Sequence, residues 1–327
     1  MKLRTLGRTG IAVSPVTLGC GTFGGIGSPI HLIGHGLDEA AAMAAMDEAV
    51  ALGINLFDTA GSYSGGASEE FIGRWLAAQP EATRARIHIA TKVGLVPTPN
   101  GVEVDLSPLS IAWQFTESLQ RLGLDRVDFC LSHAPDPDTP IEATLEGFAG
   151  LIEAVTVRCI GASNVSAEQV EAALLASERL GLSRYEWIQN EYNLLHRQDE
   201  ARLFDLCREH GLGYTAFSPI AGGVLSRKYR RNAAPPPDSR LALRPEDRSL
   251  STALFTAIDR LAEAALQRGV STGALALAWV MQHAQVTSAI AGPARRAEHL
   301  KLAREALGIE LDEASRQEIG GWFSGVQ

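Results

Sequence analysis

The amino-acid sequence predicts an α/β fold: a (β/α)8 TIM barrel with an N-terminal hairpin and long loops on the C-terminal face of the strands. Three observations carry this. Eight short apolar runs rich in Val, Ile and Phe alternate with helical patterns along most of the 327 residues, as strands covered on both faces do. Each run turns polar or small at its C-terminal end. No low-complexity linker or internal repeat divides the chain, so residues 1–327 read as a single domain.

Residues 2–14 precede the first run and read as a hairpin, with Gly7 and Gly10 near its turn. Runs at 16–18 and 54–57 flank a helix over 39–52, which Asp38 can cap and Gly53 stops. The run at 87–90 is followed by a helix that Ser107-Pro108 opens and Gly123 closes. The run at 127–131 leads to Thr139-Pro140-Ile141-Glu142, the pattern of a capping box with Pro at the first helical position. After the run at 157–160, Ser166-Ala167-Glu168-Gln169 reads as another box. Runs at 187–188 and 214–217 follow, then a stretch rich in Pro and Arg, 226–251, that reads as a long loop. Two helices, roughly 252–268 and 273–282, precede the last run at 288–291. A barrel of this kind takes about 250 residues, so the hairpin, the loop and the added helices account for the excess.

Composition narrows the function. Apolar residues at 46% and charged residues at 20% are globular values. No run of 18 uncharged apolar residues exists, so no membrane span is expected. A net charge of -9 argues against nucleic acid or an anionic membrane as partner, while leaving room for a small anion at a local basic site. The opening residues lack an apolar run of signal-peptide length, and Cys20, Cys130, Cys159 and Cys207 are scattered; both point to the cytoplasm. Neither His-x-His nor His-Glu-x-x-His occurs, so no metal site is expected. Oligomeric state leaves no mark on the sequence.

The polar strand ends hold the chemistry. The second run ends in Asp58, the third in Thr91-Lys92, the fourth in Ser132-His133. The fifth ends in Ser163-Asn164, the sixth in Gln189-Asn190 and the seventh in Phe217-Ser218-Pro219. One such residue alone reads as a polar strand cap. In a barrel all of them converge on the face where catalytic groups sit. Tyr63 lies one loop-turn beyond Asp58. A free phenol holds its proton to about pH 10, and a nearby ammonium lowers that value. Lys92 can supply the ammonium and Asp58 can hold it. His133 can donate a hydrogen bond to a substrate oxygen, and Tyr63 can protonate an oxygen that is becoming an alkoxide. Such a set suits a carbonyl accepting a hydride, which implies a nicotinamide.

Gly19-Cys20-Gly21-Thr22-Phe23-Gly24 matches G-x-G-x-x-G after a strand. The dinucleotide reading requires a helix to open at once. Here Gly25, Gly27, Pro29, Gly34 and Gly36 follow, and no helix begins before about Asp38. A glycine-rich loop over the pocket fits better.

The residues together resemble the aldo-keto reductase family, in its long-loop bacterial branch related to potassium-channel beta subunits. The resemblance runs from Leu6-Gly7-Arg8-Thr9-Gly10 to about Leu307. Its most specific part is Gly53-Ile54-Asn55-Leu56-Phe57-Asp58-Thr59-Ala60 with Tyr63, then Ser68-Glu69-Glu70 and Gly73-Arg74. His133-Ala134-Pro135-Asp136, Gly161-Ala162-Ser163-Asn164, Gln189-Asn190-Glu191-Tyr192-Asn193 and Ser218-Pro219-Ile220-Ala221-Gly222-Gly223 add to it. The resemblance implies Tyr63 as general acid, Lys92 as the group lowering its pKa, Asp58 as the partner of Lys92, and His133 as the residue that orients the carbonyl. It implies that Ser163, Asn164 and Gln189 hold the nicotinamide carboxamide, and that Phe217 stacks on the ring. Ser218, Ile220, Gly222 and Lys228 match a pyrophosphate belt; Arg295 and His299 match an adenosine-phosphate site. Gly19, Cys20, Gly21, Asp58, Pro219, Ala221 and Val224 complete the expected cofactor contacts.

Three departures stand out. Leu302 and Ala303 replace the usual Glu-Asn near the adenine, Val155-Thr156 replaces a Gly-Lys, and Arg227 stands where the family has Gly. Arg295 with Arg296 favours NADP(H) over NAD(H), because a guanidinium fork suits a 2′-phosphate. Phe23 and His31, with Tyr63 and His133, are the expected substrate contacts, and the substrate is a small carbonyl: an aldehyde, ketone or keto-sugar. Two alternatives stay open: a regulatory or redox-sensing subunit that holds nicotinamide with little turnover, and an NAD-dependent sugar or alcohol dehydrogenase of the same fold.

Overall fold

The structure, a computed structural model, describes residues 1–98, 101–231, 233–237, 239–243, 250–293 and 298–326. An antiparallel hairpin of β1 (Arg4–Thr5) and β2 (Ala12–Val13) comes first. Strand β3 (Val16–Gly19) leads through helix α1 (Glu39–Ala51) to β4 (Leu56–Asp58). Helices α2 (Ala67–Ala78) and α3 (Glu81–Arg84) precede β5 (His88–Val93). A second antiparallel hairpin, β6 (Leu95–Thr98) with β7 (Gly101–Val104), follows at once. Then come α4 (Pro108–Leu122), β8 (Val127–Ser132), α5 (Ile141–Glu153), β9 (Val157–Ser163), α6 (Ala167–Leu180) and β10 (Tyr185–Glu191). Next are α7 (Leu203–His210), β11 (Gly213–Phe217), the single turn α8 (Arg240–Leu243), α9 (Thr252–Gln267) and α10 (Thr272–Met281). Strand β12 (Ser288–Ala291) and helices α11 (Glu298–Leu307) and α12 (Glu313–Gly321) complete the order.

Strands β3, β4, β5, β8, β9, β10, β11 and β12 pair in that sequence, and β12 returns to β3 to close the barrel. Every barrel pairing is parallel. The barrel interior is a core: Leu56, Ala90, Phe129, Leu131 and Trp187 pack with Leu6, Ile11 and Val13 of the first hairpin. Phe129 and Trp187 meet edge to face at 4.8 Å, and the indole N–H donates to Thr215 Oγ1 at 2.6 Å. Burying an apolar side chain of this size contributes about 1.5–3 kcal/mol. The hairpin thus plugs the N-terminal ends of the strands, and the polar ends face the opposite way.

Local signals explain the helices. Asp38 accepts from Ala41 N at the start of α1, Ser107 from Ser110 N at the start of α4, and Ser166 forms a full capping box with Gln169 on α6. Gly123 stops α4 in the left-handed region, at φ 63°. The expected box at Thr139–Glu142 is a correction. Pro140 takes the cap position of α5 without a side-chain cap, and Glu142 pairs with Arg179 on α6 at 2.7 Å instead. A cross-helix guanidinium outcompetes a backbone amide for that carboxylate. Hairpin β6–β7, turn α8 in the long loop and the C-terminal α11–α12 pair are absent from the sequence reading. Among the described residues no helix is long and apolar enough to cross a membrane.

Candidate active site

Three strand ends and one loop build the centre of the site. Asp58 ends β4 and is 3% exposed; Lys92 lies in β5 and is 2% exposed. The Lys92 ammonium donates to Asp58 Oδ1 at 2.8 Å, to Oδ2 at 2.7 Å and to the Thr59 carbonyl at 2.9 Å. It also reaches the Tyr63 hydroxyl at 3.4 Å. Tyr63, half-buried, opens a left-handed turn: Ser64 has φ 52° and Gly65 has φ 66°. The ring of His133 meets that of Tyr63 edge on, with centroids 5.4 Å apart. Asp58, Tyr63, Lys92 and His133 therefore form one cluster, joined from sequence positions 75 residues apart.

The electrostatics differ from expectation at one point. Burial pushes the Tyr63 phenol up; Lys92 pulls it down and Asp58 pushes it up again, and the net direction is up. Lys92 acts in the expected direction, but removal of water from the phenolate outweighs one ammonium already offset by Asp58. Burial also pulls the Lys92 ammonium down, but Asp58 and Tyr63 overcome it and its pKa ends raised. Burial, then Lys92, hold His133 well below the usual imidazole range, so it is neutral at pH 7. Protonated phenol, charged lysine and neutral imidazole make a set poised to give a proton.

The neighbouring strand ends close around this cluster. The Gln189 amide nitrogen donates to Asp58 Oδ1 at 2.8 Å. Asn164, at φ 60°, donates from its side chain to the His133 carbonyl at 2.8 Å and to Ser163 Oγ at 3.2 Å. Phe217 is half-buried at the end of β11. Beyond it Ser218 (φ 51°), Ala221 (φ 51°), Gly222 (φ 62°), Gly223 (φ 91°) and Arg227 (φ 62°) are all left-handed. Three of these five are not glycine, and each such residue costs about 1–2 kcal/mol. Strain of this density is the kind that collects at ligand-binding backbone, and within the turn the amides of Ala221 and Gly223 donate to the Ser218 and Ile220 carbonyls. Lys228 crosses directly above: a Cβ on Gly223 would stand 2.5 Å from its ammonium nitrogen. Pro219 and Val224 are buried under the turn, and Ile220 is half-buried. The strained turn, the Lys228 cation and the ring of Phe217 are the groups that could hold a dinucleotide diphosphate and its nicotinamide.

Gly19, Cys20 and Gly21 lie at and beyond the end of β3. The Cys20 thiol is buried and held far above its usual pKa by burial and then Asp58, and its backbone N–H donates to the Asp58 carbonyl while its carbonyl accepts from Phe23 N and the Ser68 hydroxyl. Gly21 packs on the Tyr63 ring. Phe23 is a correction to the substrate contacts: it is fully buried in the main core and bridges to Leu37. His31 is exposed on the turn Ile30–Leu32. Arg295 and the His299 side chain lie outside the described residues, as does Arg296. Ala303 is buried and Leu302 packs on Gly273, so both serve helix packing.

Several supporting residues received no site role from the sequence. The Ser62 hydroxyl sits 3.4 Å from His133 Nδ1 and 2.8 Å from the Ser28 hydroxyl. Asn190 holds both backbone groups of Val165 and donates to buried Asp199 at 3.0 Å. Glu69 is fully buried beneath the Tyr63 turn. The Glu69 signal was legible: it shares the apolar face of α2 with Ile72 and Trp75, where an acid needs a partner. A cavity of about 490 Å³ bordered by Leu3, Ile11, Arg86, His88 and Arg158 lies at the opposite, hairpin end and does not touch these groups.

The sequence model described as "Aldo/keto reductase family" matches residues 15–321. The chain is 33% identical to the "Probable voltage-gated potassium channel subunit beta" of Arabidopsis thaliana, over 91% of this chain and 89% of that protein. It is 32% identical to the L-glyceraldehyde 3-phosphate reductase of Escherichia coli strain K12, over 94% of this chain and 88% of the relative. It is 31% identical to the NADH-specific methylglyoxal reductase of the same strain, over 96% of each chain.

Proposed function

The chain belongs to the aldo/keto reductase family, and from that premise we propose that it is a cytoplasmic, NADPH-dependent reductase of small aldehydes, ketones or keto-sugars, with Tyr63 as its general acid. The observation that carries this reading is the hydrogen-bonded set Asp58–Lys92–Tyr63 with neutral His133 beside it. Relatives named as reductases of L-glyceraldehyde 3-phosphate and methylglyoxal support a carbonyl substrate.

A bound nicotinamide supplies the hydride. The chain does the rest. Ser163, Asn164 and Gln189 hold the carboxamide, with Gln189 offering its carbonyl oxygen while its amide nitrogen stays on Asp58. Phe217 covers the ring, and Ser218, Ile220, Gly222 and Lys228 hold the diphosphate. His133 donates to the substrate oxygen and fixes the face presented. As that oxygen gains negative charge, Tyr63 gives it the hydroxyl proton, and Lys92 steadies the phenolate left behind. Asp58 keeps Lys92 charged and in place without touching substrate. Arg295 and Arg296 favour the 2′-phosphate of NADPH.

The test is a panel of DL-glyceraldehyde, methylglyoxal, 4-nitrobenzaldehyde and a keto-sugar, each with NADPH and with NADH, following loss of the reduced nicotinamide. Turnover with NADPH at least tenfold more efficient than with NADH supports the full reading. NADH preferred would remove the cofactor choice, and no turnover at all would remove the enzyme. The potassium-channel relatives favour one second reading, a nicotinamide-holding subunit with little turnover; tight cofactor binding with no turnover is its signature.

A further inference from the structure

We propose that Glu69 and Arg121 are positioning residues for the reduction: their partly buried ion pair sets the distance between Tyr63 and Lys92. This rests on the reading of Tyr63 as the acid. Glu69 is fully buried on α2, immediately after the Tyr63 turn. One of its oxygens accepts from Thr91 Oγ1 at 2.5 Å, and Thr91 precedes Lys92 on β5. The other accepts from Arg121 Nε of α4 at 2.7 Å. One carboxylate therefore ties together the strand that carries Lys92, the helix that follows Tyr63, and a third element.

Arg121 then grips the Tyr63 loop from outside. A Cβ on Gly61 would stand 3.1 Å from its Nη2, and one on Gly66 would stand 2.6 Å from its Cδ. The guanidinium stem thus lies against the backbone on both sides of Tyr63. Gly66 has φ 99°, so no other residue suits that place in backbone or in space. The same loop is tied to the strand behind it: Gly61 N donates to the Lys92 carbonyl at 3.2 Å, and the Thr59 hydroxyl pairs with Ser68 at 2.8 Å. Lys92 and Tyr63 meet at 3.4 Å, the long end of a hydrogen bond. A shift of a few tenths of an ångström in the loop therefore breaks the contact that steadies the phenolate. Neither Glu69 nor Arg121 shows a contact to the Tyr63 hydroxyl or to His133, so the pair acts through geometry.

The test is steady-state kinetics of Glu69→Gln/Arg121→Met, which replaces the pair by neutral groups of similar size and leaves no stranded charge, with the best carbonyl of the panel and NADPH. Gly61→Ala is the second variant; it keeps the pair and inserts one methyl group between it and the loop. Tyr63→Phe is run alongside. The expected result is a fall in kcat of tenfold or more in both variants, with KM for the carbonyl and the fluorescence-titrated NADPH affinity within twofold of the parent. An unchanged kcat in either folded variant, with Tyr63→Phe inactive, overturns the positioning role. A parallel loss of kcat, KM and cofactor affinity also overturns it, because a general loosening moves all three. An active Tyr63→Phe instead overturns the acid assignment itself.

Discussion

Replacing Asp58 with Asn strands a cation, and the cost can be worked from the structure. The Asp58 and Lys92 side chains are 4% and 1% exposed, and two of the hydrogen bonds made by the ammonium end on this carboxylate. An amide at position 58 supplies no charge, so Lys92 must stay charged without a counterion or lose its proton. Holding a lysine neutral at pH 7, against a free value of about 10.4 and at about 1.36 kcal/mol per pH unit, costs about 4.6 kcal/mol. Breaking a buried pair from one side costs about 3–5 kcal/mol. The bonds from Lys92 to the Thr59 carbonyl and Tyr63 hydroxyl survive and temper the loss. Asp58→Asn is therefore expected to lose about 3–4 kcal/mol at pH 7, seen as a lower urea midpoint at unchanged slope. Adding Lys92→Met removes the stranded charge, so the double variant should regain about 2 kcal/mol or more. A coupling energy under about 0.5 kcal/mol would refute the reasoning, since the two groups would then be solvated independently.

The remaining predictions concern pH and backbone strain. In the proposed mechanism reduction needs the Tyr63 proton, and its pKa is raised. Its kcat/KM should stay flat through neutral pH and fall only above about 10, while alcohol oxidation by the same protein climbs over that range. His283 is pushed down to about 4, by burial first and then by Arg316. The unfolded chain therefore binds the extra proton between pH 6.5 and 4, so the contribution of His283 to stability is complete above that window and is lost as pH falls through it. His283→Gln should flatten this slope in urea midpoints taken from pH 7 to 4, and an unchanged slope would assign acid sensitivity elsewhere. Val155 holds φ 59° at 69% exposure, a conformation costly for a β-branched residue. Relief of about 1–2 kcal/mol, less the extra flexibility of glycine at about 0.5–1 kcal/mol, gives Val155→Gly about 0–1.5 kcal/mol of added stability; a lower melting temperature contradicts it.

Much of this architecture is written in local chemistry. The eight runs, the caps at Asp38, Ser107 and Ser166, and the stop at Gly123 each act over a few residues, so the sequence exposes them. The polar strand ends were legible for the same reason, because Asp58, Lys92 and His133 each interrupt or end an apolar run. What depended on distant partners was not. Glu142 leaves its expected cap for Arg179, 37 residues away. Phe23 looked like a pocket residue beside a glycine-rich loop, and its burial follows from packing against the main core. The direction of the Tyr63 shift depends on how much water the fold removes and on how fully Asp58 offsets Lys92, neither of which a strand pattern carries. Val155 and Arg227 show the reverse case: their departures from glycine were visible in sequence, and only the backbone angles reveal that both sit left-handed.

The central claim is that Tyr63 donates the proton that completes carbonyl reduction, and Tyr63→Phe tests it with the loss of one oxygen atom. The account predicts that NADPH affinity, followed by quenching of tryptophan fluorescence, stays within about threefold of the parent, while kcat/KM falls by about 10²–10⁴, the usual contribution of a general acid. A variant that binds NADPH and reduces its best substrate at more than about a tenth of the parent rate would contradict it, because a loss that small lies below what a positioned acid contributes.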